Sequence, residues 1–226
     1  WASADGAVAI VTDTNKLGDA KDVAVDVDGN IYVVGKFNGR GSIDPDPTNI
    51  VPVNTGNREQ GILHKLDSSG NLLWTFQAGK TSGPNRVHFM AVEVDASGYV
   101  YVGAMWKGKS DLGLGTPSVT SVTSGASWAP QIIKISPTGD LLWQKQWGGS
   151  RSDSLSDIAL GPGGNIHAVG WIEGRGNITP NGNIVINPAG NTKAAYIVKL
   201  DPDGDTIFAN GRLRCCTGLI RVPYSL

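Results

Sequence analysis

No apolar run in this sequence approaches the roughly 20 residues that a helix needs to cross a bilayer. Charge is sparse and balanced: charged residues are 17% of the chain, and the formal net charge is -1. Lys and Arg are scattered, so the clustered basic footprint of a nucleic-acid binder is missing. Cysteine is nearly absent. The only two are neighbours, Cys215-Cys216, and disulfide geometry strains the peptide between adjacent cysteines. They supply neither a disulfide framework nor a metal-ligand spacing, so the redox compartment stays open. No basic start precedes a short apolar core, so no signal peptide is visible. The chain opens on Trp1, which is expected of a processed chain or of a piece of a longer one. The Glu/Lys/Ala/Leu bias of a helical protein is lacking as well.

What is plentiful is turn chemistry. The 226 residues include 31 Gly and 12 Pro beside 40% hydrophobic residues. That balance suits many short strands joined by turns, and the length suits one well-buried domain or a small repeat array.

A repeat is legible before any secondary structure is considered. Gly29 to Gly98 spans 69 residues, as do Gly70 to Gly139 and Trp74 to Trp143. The third copy is slightly shorter, with Gly98 to Gly164 at 66 and Gly139 to Gly204 at 65, and Phe208 stands where the tryptophans stood. Four strand-like segments recur in each copy. They are "DVAVDV" (22–27), "NIYVVGKF" (30–37), "GILHKLD" (61–67) and "NLLWTFQA" (71–78) with their counterparts, all rich in Val, Ile, Tyr and Trp. Gly-containing turns such as "DVDGN" and "DSSGN" join the first segment to the second and the third to the fourth. Glycine there supplies positive φ, which allows antiparallel neighbours to pair. The segment between the second and third strands is long and variable, and reads as an extra hairpin or an ordered loop.

Four antiparallel strands repeated at a fixed period describe a propeller blade, which buries its apolar residues only by stacking on its neighbours. The expected fold is therefore an all-β β-propeller of four-stranded blades of about 65–69 residues, three of them complete, plus an N-terminal orphan strand. Residues 1–19 read as the last strand of a preceding blade and a linker. Blades follow at 20–89, 90–155 and 156–211, and 212–226 is an atypical tail or cap. Three blades cannot close a ring, since propellers have about four to eight. Further blades or self-association of two arcs would complete it.

The motifs "AVDVDGNIYVVG", "KLDSSGNLLW" and "ISPTGDLLWQKQWGG" resemble the bacterial beta-propeller repeat family often called SBBP, over about residues 20–210. More loosely they are similar to NHL and quinoprotein-type propellers. The resemblance implies secreted or cell-surface proteins built from repeated, non-enzymatic modules.

Several residues are candidates for a site. Arg40, Lys109 and Arg175 each follow a glycine at the same place after the second strand. On one face of a propeller they would form part of a ring of cations meeting an anionic glycan or an acidic protein surface; exposed loops also carry such charges for solubility. Calcium is the one candidate cofactor. Asp26, Asp28 and Asn30, and again Asp201, Asp203 and Asp205, place oxygen ligands at alternate positions. Neither set completes an EF-hand, and an Asp capping its own hairpin turn explains the pattern as well or better. Asp44-Pro45-Asp46-Pro47 is a weaker set of the same kind.

His64, His88 and His167 occupy different blade positions and read as strand residues, not as a metal or catalytic centre. Lys65, Lys134 and Lys199 recur beside the third-strand turn, where the stem covers apolar surface. Trp74, Trp143 and Phe208 read as packing between blades, whereas Trp128 and Trp147 break the alignment and are expected to be the exposed aromatics. Asn177-Ile178-Thr179 matches a glycosylation sequon.

With no Ser-His-Asp set, P-loop or dinucleotide fingerprint, the expected function is a non-catalytic scaffold, protein-interaction or adhesion module at the cell surface or outside the cell. A glycan-binding, lectin-like propeller is the alternative, and an enzyme of the quinoprotein or lyase type comes third.

Overall fold

The structure, a computed structural model, describes residues 18–42, 52–55, 58–79, 85–113, 120–123, 127–188 and 192–212. The fold is all-β, and no α-helix occurs among the described residues. In the first copy β1 (Asp19–Val25) and β2 (Ile31–Phe37) lead into a small hairpin, β3 (Arg40–Ser42) and β4 (Pro52–Asn54), and then β5 (Gln60–Leu66) and β6 (Leu72–Gly79). The second copy runs β7 (Arg86–Val94), β8 (Val100–Lys107), hairpin β9 (Lys109–Leu112) and β10 (Thr120–Thr123), β11 (Ala129–Ile135) and β12 (Leu141–Gln146). After a short β13 (Gly148–Gly149), the third comprises β14 (Ser154–Leu160), β15 (Ile166–Glu173), hairpin β16 (Gly176–Asn177) and β17 (Val185–Ile186), β18 (Lys193–Leu200) and β19 (Thr206–Arg212). Each copy therefore forms an antiparallel meander of four main strands, and the segment between its second and third strands contains a hairpin in every copy. The orphan strand and linker expected over 1–19 and the tail over 212–226, with Cys215-Cys216, fall almost wholly outside the described residues, as does Asp44-Pro45-Asp46-Pro47.

The turns form for the reason their glycines suggest. In the first, the Asp26 carbonyl accepts the Gly29 N–H at 3.0 Å while the Asp26 N–H donates to the Asn30 carbonyl at 3.0 Å. The same pair of bonds closes the turns that begin at Asp67, Asp95, Ser136, Gly161 and Asp201. Gly29, at φ 79°, sits where a side chain would strain the backbone. In the first strand of each copy the register shifts, between Ala20 and Asp22, Phe89 and Ala91, and Leu155 and Asp157. These bulges break the period-two pattern, so β1, β7 and β14 begin earlier than the sequence pattern placed them.

Every sheet packs on the next. Tyr32, Val34, Leu63 and Phe76 of the first sheet bury against Phe89, Val102 and Trp106 of the second. Tyr101 and Ile132, from the other face of the second sheet, bury against Ile158, Ile166 and Val198 of the third. The first strands run alongside one another, β1 by β7 and β7 by β14. Two further devices repeat at these junctions. The Trp74 indole N–H donates to the Pro137 carbonyl at 3.0 Å, and the Trp143 indole N–H to the Pro202 carbonyl at 3.2 Å. Each therefore clasps the third-to-fourth-strand turn of the following sheet. The inserted hairpins bridge too: β9 pairs with β6 of the preceding sheet, and β16 pairs with β13 just past the second sheet's last strand.

The two clasps are equivalent, so Trp74→Phe and Trp143→Phe should each lower the unfolding free energy by about 1 kcal/mol, the net worth of one hydrogen bond. Urea titration followed by circular dichroism measures this, and losses that differ severalfold would show that the clasps are not the same interaction.

Candidate functional site

The three recurring cations stand at structurally matching points. Gly39, Gly108 and Gly174 have φ of 121°, 83° and 67°, and that left-handed backbone turns the chain out of the second strand into the inserted hairpin. Arg40 opens β3, Lys109 opens β9 and Arg175 immediately precedes β16. Lys109 and Arg175 are exposed; the Arg40 side chain lies outside what the structure describes. The hairpins are held firmly at their bases. The Gly39 N–H donates to Thr55 Oγ1 at 2.7 Å and the Thr55 N–H to the Gly39 carbonyl at 2.9 Å. Asn85 Nδ2 donates to the Lys109 carbonyl at 3.1 Å. Each cation thus sits on an anchored strand end in its own copy, and no ion pair holds Lys109 or Arg175 among the described residues.

At the same end of the sheets lies a cluster that the sequence pattern did not reveal. Glu59, just before β5, accepts from Lys36 Nζ at 2.9 Å and lies 3.3 Å from Arg86 Nη1 and 3.1 Å from His88 Nε2. The His88 ring rests on Trp128, centroids 4.5 Å apart. The cluster joins the ends of β2 and β5 to the start of β7. Burial works to raise the Glu59 carboxyl, but hydrogen bonds from Lys36 and His88 outweigh it and hold the group below its ordinary range. Burial lowers the His88 imidazole, against the pull of Glu59, and so favours the neutral ring. A carboxylate that stays ionised beside a neutral histidine makes a firm ionic joint. It is a poor general base, because its proton affinity has been lowered. Repeat alignment hid the cluster because the position of Glu59 is Trp128 in the second copy and Lys193 in the third. The third copy solves the same place with Lys193 Nζ 3.5 Å above the Trp171 ring.

Carboxylates also gather on the first strands. Asp22 Oδ2 accepts the Val92 N–H at 2.9 Å and ties β1 to β7. Burial, with Asp22 and Asp157 nearby, raises the Glu93 carboxyl.

The calcium candidates are placed in turns. Asp26 Oδ1 accepts the N–H groups of Asp28 and Asn30 at 3.0 and 2.9 Å, and Oδ2 accepts Asn30 Nδ2 and the Tyr32 hydroxyl. Despite its burial, these bonds hold the Asp26 carboxyl low. Asp201 Oδ1 likewise accepts from Asp203 and Asp205, while Asp205 pairs with Lys145 at 3.2 Å. Ser136 Oγ performs the same capping with a hydroxyl. The turns thus use these side chains to cap their own backbones. Among the described residues no group of three or more His, Cys, Asp or Glu side chains is arranged to hold a metal ion.

Lys65 Nζ lies 5.1 Å from the centre of the Tyr32 ring, and Lys134 Nζ 5.2 Å from that of Tyr101 while donating to the Pro202 carbonyl. Trp147 departs from the sequence expectation: it is buried, edge-on to Tyr196 at 6.0 Å, because β13 turns back beneath the third sheet. Trp128 is half-buried against His88. Next to Trp147, a cleft of about 240 Å³ is lined by Gly148, Asn177, Thr179 and Pro180. The sequon is folded into this seam, with Ile178 and Thr179 buried and Asn177 paired in β16. His64 is buried with Nδ1 2.9 Å from Thr75 Oγ1.

No family model matches the chain, and no curated protein matches it. Among solved structures it is similar to a protein of unknown function from Bacteroides caccae, with 11% identity and a TM-score of 0.32 over 88% of this chain and 83% of that one. A likeness at that score carries no argument about fold or function.

Glu59 and Glu93 predict opposite pH signatures. The lowered Glu59 carboxyl contributes stability that is full above the unfolded value of about 4.3 and fades as pH falls through its folded value. Glu59→Gln should therefore cost about 2 kcal/mol at pH 7, and the deficit should shrink below pH ~4. The raised Glu93 carboxyl favours the fold when protonated, and that benefit is lost as pH rises through its folded value. Glu93→Gln should stabilise at pH 7 and match the parent near pH ~3. Denaturant titrations at both pH values check the two signs.

Proposed function

We propose that this chain is an arc of a β-propeller and serves as a non-catalytic binding scaffold outside the cell or at its surface, engaging an anionic partner surface through the inserted hairpins. Support for the propeller arrangement comes from the succession of four-stranded meanders with β1, β7 and β14 side by side, together with the motifs that resemble the SBBP-type repeat. A rigid scaffold that varies its loops while holding their bases is the usual basis of recognition by such folds.

One observation carries the binding reading: Arg40, Lys109 and Arg175 recur at the head of the inserted hairpin, each after a glycine in the left-handed region. Solubility alone does not require a cation at one fixed backbone position in every copy. The net charge of -1 means that attraction to an anion would arise from this local placement and not from the molecule as a whole.

The test is retention at low ionic strength on a sulfated-glycan matrix and on a polyglutamate surface. Substituting Arg40, Lys109 and Arg175 together by Ser should reduce retention on at least one of them about tenfold, with the far-ultraviolet circular dichroism unchanged. Equal retention of parent and variant on both would dispose of the hairpin cations as a site.

A further inference from the structure

The same corner of the molecule is built twice, and it is filled once and open once. Where the second sheet's hairpin reaches back to the first, Gly79 of β6 pairs with Asp111 of β9. Where the third sheet's hairpin reaches back to the second, Gly148 of β13 pairs with Asn177 of β16. At the first corner the Gln60 side chain occupies the space over the glycine. A Cβ on Gly79 would meet Gln60 Cγ at 2.5 Å, and Gln77 Nε2 donates to Gln60 Oε1 at 2.6 Å.

At the second corner the strand partners are equivalent, because Gln60 lies opposite Phe37 and Ala129 opposite Trp106. Ala129 therefore stands where Gln60 stood, and its side chain ends at Cβ. A Cβ on Gly148 would meet Asp153 and Pro130, with no long side chain from position 129. The space left is the cleft of about 240 Å³, lined by Ala129, Gln146, Trp147, Asn177 and Thr179 among others. Its size lies just below the ~300 Å³ at which pockets for drug-sized ligands begin, so it suits a single small ring.

The lining defines the chemistry of that ring. None of the described lining residues is charged, and the carboxylate position of the first corner, Asp111, has become the carboxamide of Asn177. An anion or a cation would enter without a counter-charge. Asn177 Oδ1 is buried and has no hydrogen-bond partner, so turning its amide toward a ligand breaks no bond at that oxygen. Buried polar atoms of this kind call for a partner. Thr179 Oγ1 accepts the Ile184 N–H at 3.3 Å, which leaves its own proton to donate. Carboxamides and hydroxyls match a ligand whose hydroxyls both donate and accept, while Trp147 and Pro180 offer apolar surface to the C–H face of a ring.

We propose that this cleft, in the seam between the second and third sheets, binds one neutral sugar residue. The site depends on hydrogen bonds and is separate from the hairpin cations, so it stands or falls independently of the anion-binding reading.

Saturation-transfer NMR on the 226-residue chain tests it, with glucose, galactose, mannose, N-acetylglucosamine and glucuronate offered singly at about 0.5 M salt, where charge attraction is screened. At least one neutral sugar should bind with a dissociation constant of about 1 mM, as expected for a ligand of one ring. Ala129→Gln fills the cleft with the residue that fills the first corner, and should weaken binding at least tenfold with circular dichroism unchanged. Asn177→Ala leaves the cleft open and should weaken binding about fivefold, the worth of one hydrogen bond; it locates the site if Ala129→Gln fails to fold. The triple Ser variant of Arg40, Lys109 and Arg175 should bind the sugar as the parent does. Absence of saturation transfer to every neutral sugar overturns the proposal, as does affinity unchanged in both cleft variants. Binding of glucuronate alone, seen only at low salt, also overturns it and returns recognition to the hairpin cations.

Discussion

A four-stranded sheet with apolar side chains on both faces cannot shed water from either one unaided, and every other feature of this chain follows from that constraint. The first sheet buries Tyr32, Val34 and Leu63 only because the second lies across them, and the second buries Tyr101 and Ile132 only beneath the third. The directional contacts then fix how the sheets sit on one another. The Trp74 and Trp143 indoles each find a proline carbonyl in the next sheet, and the Asp22 carboxylate finds the Val92 N–H. A stack held in this way has two ends, and each end must be covered or exposed to water.

The same arrangement separates the part of the molecule that packs from the part that varies. Turns at one end of the sheets are nearly identical, with Asp26, Asp67, Asp95 and Asp201 each capping its own backbone. At the other end the inserted hairpins differ in length and sequence. There the chain carries its recurring cations and the copy-specific joint of Glu59, Lys36, Arg86 and His88. Residues at this end can change without disturbing the buried faces.

Period, strand count and turn positions were legible because glycine at positive φ and the alternation of Val, Ile and Tyr are local requirements that each copy has to meet. The equivalence of Trp74 and Trp143 was legible for the same reason. The strand starts were not, because the bulges at Ala20/Asp22 and its counterparts interrupt the alternation. Nor was Trp147, placed by the pairing of β13 with β16, which no pattern within one copy encodes. The Glu59 cluster escaped notice because its position holds Glu, Trp and Lys in turn, and a search for recurrence passes over places where copies differ.

The amino-acid sequence by itself determined that this is a threefold run of paired strands, where each copy turns, and which side chains recur. Those are consequences of backbone stereochemistry within a few residues. Only the tertiary structure decided which face of each sheet is covered, where the hairpins bridge to a neighbouring sheet, and that Val169 and Ile197 of the third sheet stay exposed while Val34 and Leu63 of the first are buried. Burial and long-range hydrogen bonds depend on what lies across the interface, and no local stretch of chain carries that information.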